Sequence, residues 1–251
     1  MLALVTQSGA TMPSGLRVYA ALMAIELLSL LRIPNLRLFL AFGVPYFAVF
    51  PLLLPLDDFG PAAAVMLMAV VFLFCSSLKS NVLGMDAATV RQYFTWPVSP
   101  AAVLRVRLTV LNLAVGLMCA EVIAVVALKG GLRSLVDVAV VGSAFASLLL
   151  ATDAAGGRWS VRSPVAVSWG RAFPVANDAG SLVLGGVILA VTLLYAGLLA
   201  VMSRFALTTP VLLAALALPL LIAGWPWRQF RRWSVPALSQ DRERLLAKLE
   251  V

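Results

Sequence analysis

Six blocks of apolar residues divide the chain, at about 36–56, 62–78, 108–128, 135–155, 182–202 and 207–225. Most are close to the roughly 20 residues that a helix rising ~1.5 Å per residue needs to cross about 30 Å of hydrocarbon. They are continuous runs, not the short amphipathic patterns of soluble helices. In a bilayer the backbone polar groups of such a run must be paired within the segment, which favours helices. The pattern therefore predicts an all-α, polytopic membrane protein with about six transmembrane helices. Asp57-Asp58-Phe59-Gly60-Pro61 and Lys129-Gly130-Gly131 are its sharpest turns. Pro45 and Pro51 in the first block, and Pro210 and Pro219 in the sixth, predict kinked helices.

Outside these blocks the polar positions are organised. Residues 13–33 form a helical run that carries Arg17, Glu26 and Arg32 and ends before Pro34-Asn35; three charges favour a helix lying along the cytoplasmic interface over a crossing. Two connections are long and polar, 79–107 and 156–181, whereas the connections on the other side are short. The tail after Trp225 is charged and closes in an amphipathic stretch, SQDRERLLAKLEV. Three regions follow: a cytoplasmic N-terminus with the interfacial helix (1–35), the transmembrane domain (36–225) and a cytoplasmic tail (226–251).

Composition sharpens the membrane reading and fixes its orientation. Hydrophobic residues make up 62% of the chain and charged residues 12%, about half the charge of a soluble domain. With both termini cytoplasmic, sixteen of the 19 Lys and Arg residues fall on the inner side and three (Lys129, Arg133 and Arg204) on the outer. That is a strong positive-inside bias, and it supports an even number of spans. The net charge of +8 thus belongs to membrane topology, and no nucleic-acid partner is expected. The first fifteen residues lack the basic, apolar and small-residue pattern of a cleaved signal peptide. The Ala-, Val-, Leu- and Arg-rich composition suggests a bacterial inner membrane.

Candidate chemistry is sparse. There is no histidine, and the two cysteines, Cys75 and Cys119, lie inside apolar blocks with no CxxC, so neither a metal site nor a disulfide is expected. The three lysines follow Leu78, Leu128 and Ala247; without Gly-Lys no phosphate-cradling P-loop can form. Glu121 lies within the third block, and a membrane carboxylate is a functional candidate by default, here for a substrate path. Asp137 and Asp153 lie near block ends and read as solvated. Gly180, Gly185 and Gly186 permit close helix approach, and Trp225 and Trp227 read as interfacial anchors.

The most informative stretch is Ser77 to Arg107, SLKSNVLGMDAATVRQYFTWPVSPAAVLRVR. Asp86 can cap a short helix from about Ala87 to Thr95, Pro97 ends it, and Ser99-Pro100 starts the next helix with Ser99 as cap. Such a helix is either an ordinary interfacial loop helix, anchored by Tyr93, Phe94 and Trp96, or a docking element for a soluble partner. Asn81, Gly84 and Asp86, followed by Pro97-Val98-Ser99 and then Arg105 or Arg107, resemble the pattern of type-two ABC-transporter permeases. ELLSLLRIPN (26–35) is similar to the elbow helix of that family, and Ser163-Pro164 to Phe173-Pro174 to the region before its fifth span. The Gly-Asn frequent after the family's fourth span is absent; Asp153 to Gly157 stands there.

The resemblance implies the membrane subunit of an ABC exporter. A nucleotide-binding ATPase subunit would dock on a coupling helix between spans two and three, with Asn81, Gly84, Asp86, Arg91, Pro97 and Ser99 as coupling residues. A second copy or a paralogous permease would complete the path. No cofactor would be bound by this chain; ATP and Mg would sit on the partner. The competing expectation is an ion-gradient-driven secondary transporter, which wants several intramembrane ionisable groups and internal repeats. A membrane-embedded enzyme lacks its usual groups.

Overall fold

The computed structural model describes residues 14–32, 34–53, 60–84, 99–164, 179–205 and 209–240. All regular structure among them is helical. The elements are α1 (Ser14–Arg32), α2 (Pro34–Leu53), α3 (Gly60–Phe74), α4 (Ser76–Ser80), α5 (Pro100–Leu128), α6 (Leu135–Arg162), α7 (Ala179–Arg204) and α8 (Thr209–Gln240). Four are long and apolar enough to cross a membrane: α5, α6, α7 and the stretch Val211–Leu238 of α8. The first two predicted spans correspond to α2 and α3, whose described apolar stretches, Ala41–Leu53 and Gly60–Phe74, are shorter. The chain is a helical membrane protein with four helices of spanning length among its described residues.

Local sequence explains where the long helices start and stop. Ser99 is the residue before α5, in extended conformation, with Pro100 in the first turn, where a missing N–H costs nothing. The Ser99 side chain makes no capping hydrogen bond; its carbonyl instead accepts from the amides of Ala102 and Val103. The helix ends in a pair of bonds, Gly131 N–H to Val126 O and Gly130 N–H to Ala127 O, with Gly130 at φ 74°. That left-handed position is the reason for a glycine there. A capping box opens α6. Ser134 Oγ accepts from the Asp137 amide while the Asp137 carboxylate accepts from the amides of Arg133 and Ser134, both at 2.9 Å. Asp137 lies at an exposed turn, as expected, and there satisfies orphan amides of the first turn.

Packing centres on α5 and α6. Helix α3 sits between them and α7, α2 and α1 lie on α5, and α8 lies along α6. The core between them includes Met68, Phe72, Leu104, Met118, Leu148 and Ile188, all essentially inaccessible. Close approach is made by glycine at three points. A Cβ on Gly156 would stand 2.7 Å from the Lys79 carbonyl oxygen, one on Gly157 2.3 Å from the Phe230 ring, and one on Gly180 2.4 Å from Trp159. Of the three glycines singled out in and just before the fifth block, Gly180 alone is a tight contact; Gly185 meets Leu73 at 3.7 Å, and nothing lies within 4 Å of Gly186.

The last helix runs on past Trp225. Pro219, Pro226 and Pro236 all lie inside α8, although each removes a backbone donor. The helix survives because its second half packs: Phe230, Ser234 and Leu238, spaced four apart on one face, are buried, with Phe230 seated over Gly157 of α6. Of the amphipathic stretch 239–251, Ser239 and Gln240 end α8 and 241–251 lies outside the described residues.

Candidate functional site: a buried polar clamp

The turn after α4 is heavily anchored. Every residue from Lys79 to Gly84 is buried, an unusual position for the start of a polar connection. Lys79, on the last turn of α4, has no exposed surface. Its ammonium donates to Asp153 Oδ1 at 2.8 Å and to Thr152 Oγ1 at 3.1 Å, both on α6, and lies 5.1 Å from the centre of the Phe72 ring. Thr152 in turn donates to the Leu148 carbonyl at 2.7 Å. The second carboxylate oxygen of Asp153 accepts from Asn112 Nδ2 of α5 at 2.6 Å. The cluster therefore joins α4, α5 and α6 through one carboxylate.

A second buried pair lies beside it. Arg107 of α5 donates through Nε to Glu26 Oε1 of α1 at 2.9 Å, and through Nη1 to the Val82 carbonyl at 3.2 Å. Both side chains are 1% exposed. Leu83 N–H donates to Ser160 Oγ of α6 at 2.8 Å. Between them, the two ion pairs and these bonds fasten the turn to α1, α5 and α6. Helix α1 gains two further ties: Tyr19 OH bonds Thr109 Oγ1 at 2.9 Å, and Leu22 packs on Val103 and Val106.

This geometry corrects the reading of four charges. By sequence, Lys79 and Arg107 belong to an inner loop, Glu26 to an interfacial helix and Asp153 to a solvated helix end; all four are buried and paired. The misreading of Asp153 has a plain cause. The apolar block stops near Ala155, but α6 continues to Arg162, so Asp153 stands nine residues, about 13 Å, inside the helix end. The signal available in sequence was the pairing of opportunities: a membrane acid beside Thr152, and one lysine at the end of a neighbouring block.

The expected coupling residues divide. Asn81 caps the C-terminal end of α4 and is 6% exposed, and Gly84, whose N–H donates to the Asn81 carbonyl, is buried. Both belong to the clamped turn and not to a free surface. Ser99 is exposed at the start of α5. Asp86, Arg91 and Pro97, and with them the short helix 87–95, lie outside the described residues. So do residues 165–178 of the 156–181 stretch.

Glu121 lies apart from the clamp. It is partly exposed on α5, and its buried Oε2 has no hydrogen-bond partner among the described residues. An apolar groove of about 710 Å³ opens between α2 and α3, walled by Phe42, Tyr46, Phe47, Phe50, Val70 and Phe74 among others; Glu121 is not among its lining residues. Deeper in the bundle, hydroxyls form a relay from Ser147 to Tyr195 OH, on to Ser143 and then to the Leu216 carbonyl. Leu216 lies three residues before Pro219, where a proline loosens the helix ladder and a neighbouring serine can satisfy the backbone. Cys75 and Cys119 are both buried and free. No group of three or more potential metal ligands occurs among the described residues.

Comparison of the chain with protein-family profiles, with characterised proteins and with solved structures found no match.

Proposed function

We propose that this chain is the membrane-spanning permease subunit of an ATP-driven ABC exporter. In this reading six helices cross the bacterial inner membrane, with α1 as the elbow, a coupling helix at about 87–95 and both termini cytoplasmic. Asp86, Arg91 and Pro97 belong to the docking segment, and Glu121 is a candidate for the substrate path. A nucleotide-binding subunit supplies ATP and Mg chemistry, and a second copy or a paralogous permease completes the path.

The observation that carries the reading is the clamp. The segment proposed to receive the ATPase follows directly from a turn that two buried ion pairs tie to α1, α5 and α6. A push on that segment cannot be absorbed locally, because moving Lys79 or Val82 away would leave buried charges and carbonyls unpaired. It moves the attached helices together, which is what rigid-body coupling requires.

A specific observation favours a second reading. Lys79 and Asp153, with Asn112 bonded to the carboxylate, form the kind of buried ionisable pair that gradient-driven transporters use. It ranks second because Lys79 and Asp153 pair with each other and the α2–α3 groove touches no member of the cluster.

The deciding experiment is a mild-detergent pull-down of the tagged protein with ATPase activity assayed on the eluate. Co-purification of a P-loop subunit, lost when Asp86 and Arg91 are both changed to Ala, is the expected result. A chain that purifies alone and drives proton- or sodium-dependent flux in vesicles would overturn the exporter and promote the second reading.

A further inference from the structure

Helix α8 is 32 residues long, about 48 Å at the α-helical rise, against a hydrocarbon core of roughly 30 Å. One of its ends must therefore leave the hydrocarbon. Its outward face shows which end, and into what. Leu221, Trp225, Arg228 and Arg232 follow one another at steps of four, three and four residues, which places them on one helical stripe. All four are exposed, Leu221 at 69% and Trp225 at 66%. Leucine, then tryptophan, then arginine is the order of environments met on leaving a bilayer: hydrocarbon, interface, charged headgroups.

The arginines of this stripe are not spent on the described residues. Arg228 and Arg232 make no ion pair with any described residue, and Arg231 lies 4.8 Å from the centre of the Trp227 ring, which holds its guanidinium at the surface without neutralising it. Helices α7 and α8 contain no Asp or Glu. The neighbouring end of α6 adds Arg162, stacked 5.6 Å from the Trp233 ring. The same chain buries and pairs Lys79 and Arg107 with two carboxylates, so leaving Arg228, Arg231 and Arg232 exposed is not a default of the fold.

We propose that Arg228, Arg231 and Arg232, with Trp225 and Trp227, form a binding face for the phosphates of anionic membrane lipids at the surface where α8 leaves the hydrocarbon. Guanidinium groups match phosphate through paired N–H donors, and the exposed leucine and tryptophan above them face the acyl chains of the same lipids. The face is continuous with the lipid-exposed side of α8, which favours a headgroup over a soluble acidic partner. The inference stands independently of a transport role.

The test uses the full chain purified in mild detergent with mixed phosphatidylglycerol and phosphatidylcholine, followed by native mass spectrometry of retained lipid. Wild type should retain phosphatidylglycerol preferentially, and less so as salt rises. Each arginine near an anionic surface contributes roughly a fivefold gain, so R228Q/R231Q/R232Q should lose most of the preference, up to about a hundredfold in affinity. Lysine at the same three positions should keep much of it. R133Q/R204Q, which removes exposed arginines at the other end of the bundle, should leave it unchanged. Thermal stability in phosphatidylcholine alone checks that the triple variant folds. Equal retention of the two lipids by wild type would overturn the proposal, as would equal loss in the triple variant and the control pair. A triple variant that keeps the lipid preference but loses a soluble protein partner would reassign the face to that partner and overturn it too.

Discussion

The two basic regions of this molecule are built from the same residue types and do opposite things. At the clamp, Lys79 and Arg107 are inaccessible and each meets a carboxylate within 3 Å. Along the end of α8, Arg228 and Arg232 stand exposed on a continuation of the lipid-facing stripe. A buried cation without a partner is far more costly than an exposed one, so the first pair holds helices together while the second makes no ion pair among the described residues. The comparison also explains why four charges counted as loop or interface residues came to sit inside the bundle. A charge near the end of an apolar block goes inward only if an opposite charge from another helix waits at the same depth, and Asp153 and Glu26 do.

Breaking the clamp should have the largest effect. Asp153→Ala leaves the Lys79 ammonium buried with only Thr152 and a ring face, and should cost about 3–5 kcal/mol in reversible unfolding from mixed micelles. Replacing both partners, K79M/D153L, should recover most of that loss, since an apolar pair of similar volume removes the uncompensated charge. A cost below about 1 kcal/mol for the single variant would mean that water reaches the cluster, and the contrast between the two regions would collapse.

Gly156→Ala tests the same junction by shape instead of charge. Its new methyl group would meet the Lys79 carbonyl, a backbone atom that cannot rotate away, so a loss of about 1–3 kcal/mol is expected. Gly186→Ala, at an open position, should change the stability of the isolated chain by no more than about 0.5 kcal/mol. If it instead disrupts assembly with a second chain, that face of α7 is an interface.

Tyr195→Phe removes the centre of the hydroxyl relay between α6, α7 and α8. The expected cost is about 1 kcal/mol, since membrane hydrogen bonds contribute little individually. At the bottom of the scale, R228Q/R232Q should leave unfolding in uncharged lipid within about 0.5 kcal/mol of wild type, because these side chains hold nothing in place. A larger loss would show that the arginines serve the fold, as Lys79 and Arg107 do.

Much of the architecture was legible in the residue order. The helices and their starts at Ser99-Pro100 and Ser134, and the glycine stop at 130–131, follow from hydrophobic runs and from local bonds between residues a few positions apart. Such features depend on the chain alone, because a helix closes its own hydrogen bonds. The candidate site was not legible in the same way. Asn81 and Gly84 stood out as a pattern on the way to a docking surface, whereas the structure makes them part of a buried turn. Their surroundings are supplied by Glu26, Arg107, Asp153 and Ser160, between 24 and 77 positions from Leu83 and beyond the reach of any local periodicity.

What the sequence by itself determined is the class of solvent each block prefers and the local chemistry of its ends: apolar runs that must be helical in lipid, and a basic excess on one side. What only the tertiary structure decided is which charges are loop charges and which are interior. The free energy of an ionised side chain depends on the dielectric around it and on the distance to an opposite charge, and both are properties of neighbours brought together from distant positions. Arg107 and Arg228 are the same letter; Glu26 stands 2.9 Å from one, and no carboxylate of the described residues pairs with the other.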